Sequence, residues 1–503
     1  MKTLNRRNFL KTSLYTGTAV AFSAKSWAAV KGANDAIRVG VVGFNGRGNS
    51  HISGYRKLGA EGVRIAAYCD VDQKVLDRGL ADAKKNKESA EGFRDMRQML
   101  EKAQIDTVSI ATPNHWHSLA AIWAIQAGKD VYVEKPVSHN VWEGRKVVEA
   151  ARKYNRIVQT GTQSRSSSNI AEAVKLVKEG KLGKIVICRG LCYKRRDTIG
   201  LTEGAQTVPE TVDYDIWCGP APKNELRRGK LHYDWHWFWD YGNGDLGNQG
   251  IHQMDIARWF LGVNELSPRV ISVGGRVGYK DDAETPNTQI VYHEYVKAPL
   301  IFEVRGLPAK PVEAEAAGAD GGDKKKKKSK TESMDVYRGA SIGVIVECEN
   351  GYITVPNYTS ATFFDKDGNK IQELKGGEEG SSHFDNFIAA VKSRKRTDLH
   401  AEIWEGHLSS ALCHTGNISY RLGKQSKPEV IKEKIKAMKG MEEAFGRMAE
   451  HLKANNVDIN TTQLTLGLPL NMDPRVEKFV GNLDADKLLR REYRAPYVVP
   501  DKV

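Results

Sequence analysis

No stretch of about eighteen apolar residues free of charge occurs in the 503-residue chain, so no membrane-spanning helix is expected. Cysteine is scarce: there are six, none in a C-x-x-C pair, which argues against a zinc ribbon and against a dense disulfide framework. Were Cys188 and Cys192 on one strand, they would lie about 13 Å apart, too far for a disulfide, so both read as core thiols. A nucleophile elbow and recognisable paired carboxylates for ordinary glycoside hydrolysis are also missing. No metal ion is expected. What remains, 40% hydrophobic and 27% charged residues, describes a globular protein, and the length suits two or three domains.

The formal charge of +14 disperses once it is located. Residues 1–30 hold Lys2, Arg6, Arg7, Lys11 and Lys25 and no acid, so the remainder carries about +9. The lysine run 324–328 lies within 309–335, where seven lysines face six acids. That stretch reads as a flexible, solvated insertion rather than a nucleic-acid arm. Asn5-Arg6-Arg7-Asn8-Phe9-Leu10-Lys11, followed by a weakly apolar stretch to about Ala29, resembles a twin-arginine export signal. Asn5 stands where Ser or Thr is usual, and Lys25 interrupts the apolar stretch. The expectation is a signal over 1–30, the twin-arginine machinery as a partner, and a periplasmic destination.

From Ala36, short apolar runs alternate with helical segments. Strands are predicted at 37–42, 64–69, 105–111, 130–133 and 156–160, with helices over 119–127 and 142–153 among them. This is the pattern of an α/β fold, a doubly wound Rossmann domain over 36–160. After Gly161 the strands lengthen and the helices thin out, with runs at 185–193, 269–277, 289–295, 300–305, 342–347 and 352–355. They predict a second, α+β domain over 161–425 with a large, mostly antiparallel open sheet. Residues 427–454 read as one charged helical segment inside an extension over 426–503.

Directly after the first strand comes Gly43-Phe44-Asn45-Gly46-Arg47-Gly48, opening a predicted helix. A strand, a glycine turn and a helix in that order suit a dinucleotide, whose pyrophosphate needs close backbone amides at the positive end of a helix. Asn45 replaces the middle glycine, but Asn tolerates positive φ and Gly46 adjoins it. Asp70 ends the second strand, 22 residues beyond Gly48, where a carboxylate can accept from the ribose hydroxyls. A carboxylate repels a 2′-phosphate, so NAD is preferred over NADP.

Three further motifs follow in order. Ala111 to His117 reads A-T-P-N-H-W-H, Ala127 to Pro136 reads A-G-K-D-V-Y-V-E-K-P, and Gly244 to Asp255 reads G-D-L-G-N-Q-G-I-H-Q-M-D. With the glycine turn they resemble the Gfo/Idh/MocA family of oxidoreductases over about 36–300. The resemblance implies that Asn114 and His117 border the nicotinamide side of the cofactor, and Glu134, Lys135 and Gln163 complete the candidate cofactor contacts. It also implies that Lys135 reaches the reacting hydroxyl and that His252 is a general acid or base. On one helix, Asn248, His252 and Asp255 would share a face, so either neighbour can orient the imidazole. Many relatives have an aspartate at the position of Asn248. An amide holds the ring without stabilising an imidazolium, so His252 is expected to be less basic here, or Asp255 to supply the charge.

Near the third motif, His232 to Tyr241 is dense in aromatic rings, and Trp235 and Trp237 are candidates either for stacking on a sugar or for burial in a core. Tyr193 and Arg195, just after a predicted strand, are further candidate substrate contacts. Together these readings predict hydride transfer from a secondary alcohol of a sugar, glycoside or polyol to NAD. Outside the cytoplasm free NAD is scarce, so a tightly bound, internally recycled cofactor is expected. The alternatives are an NAD-dependent glycosidase acting by oxidation, elimination and re-reduction, and a catalytically inactive nucleotide-binding scaffold. Relatives of this family often form dimers or tetramers through the open sheet face, so a homo-oligomer is expected.

Overall fold

The computed structural model describes residues 36–309, 334–376 and 381–503. The expected export signal and the lysine run lie outside the described residues. Among those described, no helix is long and apolar enough to cross a membrane.

Six parallel strands build the first sheet: β1 (Ile37–Val42), β2 (Val63–Cys69), β3 (Glu91–Phe93), β4 (Thr107–Ile110), β5 (Asp130–Val133) and β6 (Val158–Thr160). Their spatial order is β3-β2-β1-β4-β5-β6. Val39, Val41, Val108, Ile110, Val131 and Val133 are fully buried, because helices cover both faces and nearly every strand position must be apolar. The order reverses between β1 and β4, which opens a crevice at the carboxyl ends of the strands.

The second sheet has twelve strands and centres on β7 (Ile185–Tyr193), β8 (Arg269–Gly275), β9 (Thr288–Glu294), β10 (Leu300–Arg305), β11 (Ile342–Cys348) and β12 (Gly351–Val355). Its pairings are antiparallel except between β7 and β10. Cys188 and Cys192 of β7 point to one face, into a core with Met254, Phe260 and Leu412 from the helices Gly250–Leu261 and Ile403–Arg421. The two thiols are free.

The opposite face is not open. Ile187, Ile271, Val273, Ile290 and Ile301 pack against Ile431, Ile435, Met441, Phe445 and Met448, which belong to the helices Pro428–Ile435 and Met441–Ala454. The single helical segment expected over 427–454 is therefore two helices. The break falls at Gly440, whose φ of +78° suits glycine and where an added Cβ would lie 2.6 Å from Ile187. The extension buries its apolar stripe on β7, β8, β9 and β10 and so covers that part of the face.

Nor do the expected boundaries partition the chain in space. Helix Ser381–Ser393 returns to the first domain, where Phe384 and Phe387 pack with Tyr55 and Tyr132. The tail returns again, placing Tyr497, Val499 and Val503 beside Val108 and Ile122.

Candidate active site

The glycine turn is built by close approach. Gly43 has φ +75°, and an added Cβ would lie 2.9 Å from the Thr112 backbone; at Gly48 it would fall 2.2 Å from the Gly43 carbonyl. At Gly46 it would meet nothing within 4 Å, so the turn faces open space at that position. Helix Gly48–Lys57 begins after Arg47 with no side-chain cap, and the amides of Asn49 and Ser50 donate back to the Gly46 and Arg47 carbonyls at 3.0 and 2.9 Å. Asp70 clamps the turn, its carboxylate accepting from Phe44 N at 3.0 Å and Asp72 N at 3.1 Å. Burial raises its pKa and these two N–H donors oppose the rise. Asn45 accepts from Arg78 at 2.9 Å. A nucleotide fits this cradle, with the amides of residues 46–48 toward its pyrophosphate and Asp70 toward its ribose.

Glu134, at the end of β5, anchors the floor. Its Oε1 accepts from Arg47 Nε at 2.9 Å and Gln163 Nε2 at 3.1 Å, with His51 Nε2 at 3.2 Å, and its Oε2 accepts from Lys135 N at 3.2 Å. Burial pushes this carboxyl up, yet Arg47, His51 and Lys135 together hold it well below the usual carboxylate range. Arg47, from the glycine turn, is thereby tied to the strand that precedes Lys135, and Gln163 braces Glu134 from behind.

Lys135 extends from that floor to the second domain and donates through Nζ to the main-chain carbonyl of Asn248 at 3.0 Å. Burial lowers its pKa; Glu134 opposes the change, while Arg47 and Lys194 add to it. His252 is 6% exposed, and its Nδ1 has no hydrogen-bond partner among the described residues. Burial holds this imidazole well below its ordinary range, and Lys135 is the charge acting on it most strongly. Around it run Lys194, which donates to Gln249 at 2.7 Å, and Gln249, which donates to the Tyr358 hydroxyl at 2.7 Å; the Tyr358 ring centre is 4.9 Å from that of His252. His236 is near enough for Lys135 to act on it; burial first, then Lys135, push it down to about 3, against the opposing Tyr233 carbonyl.

Lys135 and His252 thus face one space between the domains, but several other candidates do not join them. The helix expected to carry Asn248, His252 and Asp255 on one face is broken: Gly244–Gly247 ends at Asn248, and a second helix runs over Gly250–Leu261. Asn248 contributes its backbone carbonyl to Lys135. Asp255 pairs with Arg165 at 2.8 and 2.9 Å and accepts from Ser409 at 2.7 Å, so it braces the helix rather than the imidazole. His117 has its ring nitrogens 2.6 Å from the Pro136 carbonyl and 2.7 Å from that of Thr112, so it ties the loops after β5 and β4 together and has no nitrogen left for a ligand. Asn114 donates to Asn243 Oδ1 at 3.1 Å.

The substrate candidates are displaced too. Tyr193 points to the far face of the second sheet and donates to Glu303 at 2.7 Å, since alternation along β7 sends it opposite to Cys192. Arg195 lies at the surface against Asp197. Its neighbour Lys194 faces the site, and Arg196 is held by both oxygens of Asp245. Trp235 belongs to a core cluster and stacks on His236 at 3.7 Å; Trp237 is buried beneath the Arg196 guanidinium. The aromatic run therefore serves packing, and its contribution to the site is His236. Gln249 lies inside the third motif and Lys194 between the two candidates Tyr193 and Arg195; Tyr358, in the loop after β12, carries no local signal.

Comparison with known proteins agrees with this architecture. Residues 37–162 match a family model described as "Oxidoreductase family, NAD-binding Rossmann fold", and residues 167–310 match its companion, "Oxidoreductase family, C-terminal alpha/beta domain". A "Glycosyl hydrolase family 109 protein" of Shewanella sp. (strain W3-18-1) is 31% identical over 157 residues, which is 30% of this chain and 34% of that protein. An "Alpha-N-acetylgalactosaminidase" of Shewanella oneidensis is 29% identical over the same length, with 30% and 34% covered. The match thus spans about a third of the length of these two relatives. Among solved structures, the WlbA dehydrogenase of Bordetella pertussis in complex with NADH and UDP-GlcNAcA superposes with TM-score 0.52 at 18% identity, covering 75% of this chain and 94% of that one. A levoglucosan dehydrogenase in complex with NADH and levoglucosan gives 0.53 at 16%, covering 75% and 95%. At such identities these two likenesses speak to fold. The paired family models, which together take in more than half of the sequence, establish that the chain belongs to the Gfo/Idh/MocA family of NAD-binding oxidoreductases.

Proposed function

We propose that this protein oxidises a secondary alcohol of a sugar, glycoside or polyol, using NAD held in the crevice above β1 and β4. The observation that carries the reading is the convergence of the Lys135 amine and the unpartnered His252 imidazole on one space beside the glycine turn. A bound nicotinamide would supply the hydride acceptor. The protein's own part is to manage the hydroxyl proton. Burial lowers the Lys135 pKa, which raises the fraction of free amine able to take that proton at Nζ. The ammonium so formed faces the developing oxyanion and has the Asn248 carbonyl to hold it. His252, kept neutral by burial, orients the hydroxyl through a hydrogen bond rather than by charge. Tyr358, held by Gln249, packs against the His252 ring and closes the site there.

A second reading, net glycosidase activity by elimination after the same oxidation, is supported by the likeness to proteins named as glycosyl hydrolases and as an α-N-acetylgalactosaminidase. Both readings use Lys135 and His252 in the first step. The experiment is to screen the full-length chain against glycosides and polyols, following the near-ultraviolet absorbance of reduced nicotinamide and the release of aglycone together. Turnover with a standing change in nucleotide supports the dehydrogenase; aglycone release with no net change supports the glycosidase. Nucleotide binding with neither, unaffected by His252→Ala, identifies a scaffold. Export as a folded holoprotein is proposed from residues 5–29 and implies nucleotide that co-purifies. Cell fractionation that leaves the chain in the cytoplasm overturns it.

A further inference from the structure

His236 is held by the protein on several sides without being sealed. It sits in a short 3-10 turn, Asp234–Trp237, whose end is tied to the second domain, since the Trp237 carbonyl accepts from Glu284 N at 2.9 Å and Thr285 N at 3.2 Å. Its ring stacks on that of Trp235, centres 3.7 Å and planes 20° apart, with the Tyr233 ring centre 5.0 Å away. The chain then folds back so closely that a Cβ added at Gly242 would lie 2.4 Å from the His236 carbonyl oxygen. The imidazole is therefore fixed in place.

Its proton is fixed as well. Nδ1 meets the carbonyl of Tyr233, which can only accept, so Nδ1 carries the hydrogen and Nε2 presents a bare lone pair. With the pKa pushed down to about 3, first by burial, that state holds throughout the neutral range. Whereas His252 Nδ1 is sealed from solvent, His236 Nε2 keeps accessible surface and has no partner among the described residues.

The cations acting on this ring are Lys135, Arg196 and Lys194. Arg196 is occupied by both oxygens of Asp245. Lys135 and Lys194 each spend one hydrogen bond on the protein, to the Asn248 carbonyl and to Gln249 Oε1, and each Nζ has room for another partner. A group lying between the His236 lone pair and these amines must offer a hydrogen to the one and a lone pair to the other. A hydroxyl does both. An ether or carbonyl oxygen lacks the hydrogen and sets lone pair against lone pair, an ammonium lacks the lone pair, and a methyl group has neither.

We infer that His236 is a specificity-determining residue, its Nε2 accepting a hydrogen bond from a second, unreacting hydroxyl of the substrate. Lys135 and His252 already claim the hydroxyl that is oxidised. The cleft then takes a polyhydroxy compound with a free hydroxyl near the reacting one, and rejects the deoxy compound or methyl ether at that position. The inference rests on the hydride-transfer reading and adds to it a requirement on the substrate.

The test pairs methyl β-D-glucopyranoside with its 2-, 3-, 4- and 6-deoxy derivatives on the NAD-loaded full chain, with binding followed by calorimetry and hydride transfer by nicotinamide absorbance. One derivative that is still oxidised is expected to bind the wild type about tenfold more weakly than the parent. His236→Phe keeps a ring on Trp235 and removes the acceptor, so it should weaken the parent by the same factor and leave that derivative unaffected, with NAD affinity unchanged. His236→Gln, whose amide oxygen can accept, should recover part of the parent's affinity, and circular dichroism checks that both variants fold. A deoxy penalty that persists undiminished in His236→Phe overturns the inference, as does a wild type indifferent to all four deletions. A penalty that depends on His236 without any hydride transfer supports the hydroxyl contact and defeats the oxidation reading alone.

Discussion

Glu134 and His252 face each other across the cleft, both buried and both ionisable, and they differ in how many partners they have. Glu134 is surrounded by Arg47, His51, Gln163 and the Lys135 amide, whereas His252 Nδ1 has none. A saturated buried group is a fixture, because any change leaves several donors orphaned. An unsaturated one is costly to keep and remains where a ligand completes it. By this contrast the first domain supplies rigidity to the site and the second supplies the reactive vacancy.

The largest effects should come from the reactive side. Lys135→Ala or His252→Ala is expected to lower kcat/KM by about 10³-fold or more, within the range for losing a positioned acid or base, while nucleotide stays bound. Near full turnover in either variant would break the contrast. Next comes Glu134→Ala, expected to act on stability: His51 and Gln163 lose a buried acceptor, which costs about 2 kcal/mol and lowers Tm, with Arg47 released from the floor as well. A Glu134 variant with wild-type Tm and no turnover would instead make the carboxylate a reacting group.

Much of this was legible in the chain. Strand β1 and the glycine turn were readable because a fully buried parallel strand is a continuous apolar run and its turn demands glycine. The same holds for β7 and β10, whose ends fall where the pattern placed them. What escaped was direction. Tyr193 is conspicuous in sequence, yet the alternation of a strand sends it away from Lys194, and no local pattern states which face will carry the site. The break after Asn248 escaped as well, since Gly247 and Gly250 signal a bend only once Lys135 is seen reaching into it. Covering of the second sheet by Met441–Ala454 required a partner surface more than a hundred residues distant in the chain.

Tyr193 gives a smaller test of that geometry. Removing its hydroxyl breaks the bond to Glu303, so Tyr193→Phe is expected to cost about 1 kcal/mol in chemical unfolding and to leave KM for every substrate unchanged. A raised KM would return this residue to the cleft.

The finest discrimination comes from Asn248→Asp, which restores the carboxylate that many relatives carry. Because Lys135 binds the main chain of this very residue, the new charge lies close to its amine and favours the ammonium. If the free amine of Lys135 takes the hydroxyl proton, activity is present above the Lys135 pKa and lost below it. Raising that pKa moves the acid limb of kcat/KM upward by about one pH unit, worth about 1.4 kcal/mol at a fixed pH on the limb. If His252 is the base instead, the same carboxylate lifts an imidazole that burial and Lys135 hold well below its ordinary range, and turnover at neutral pH rises rather than falls. The acid limb moves upward in either case, so the sign of the change in turnover at neutral pH assigns the proton to one side of the cleft, and an unmoved profile removes it from both.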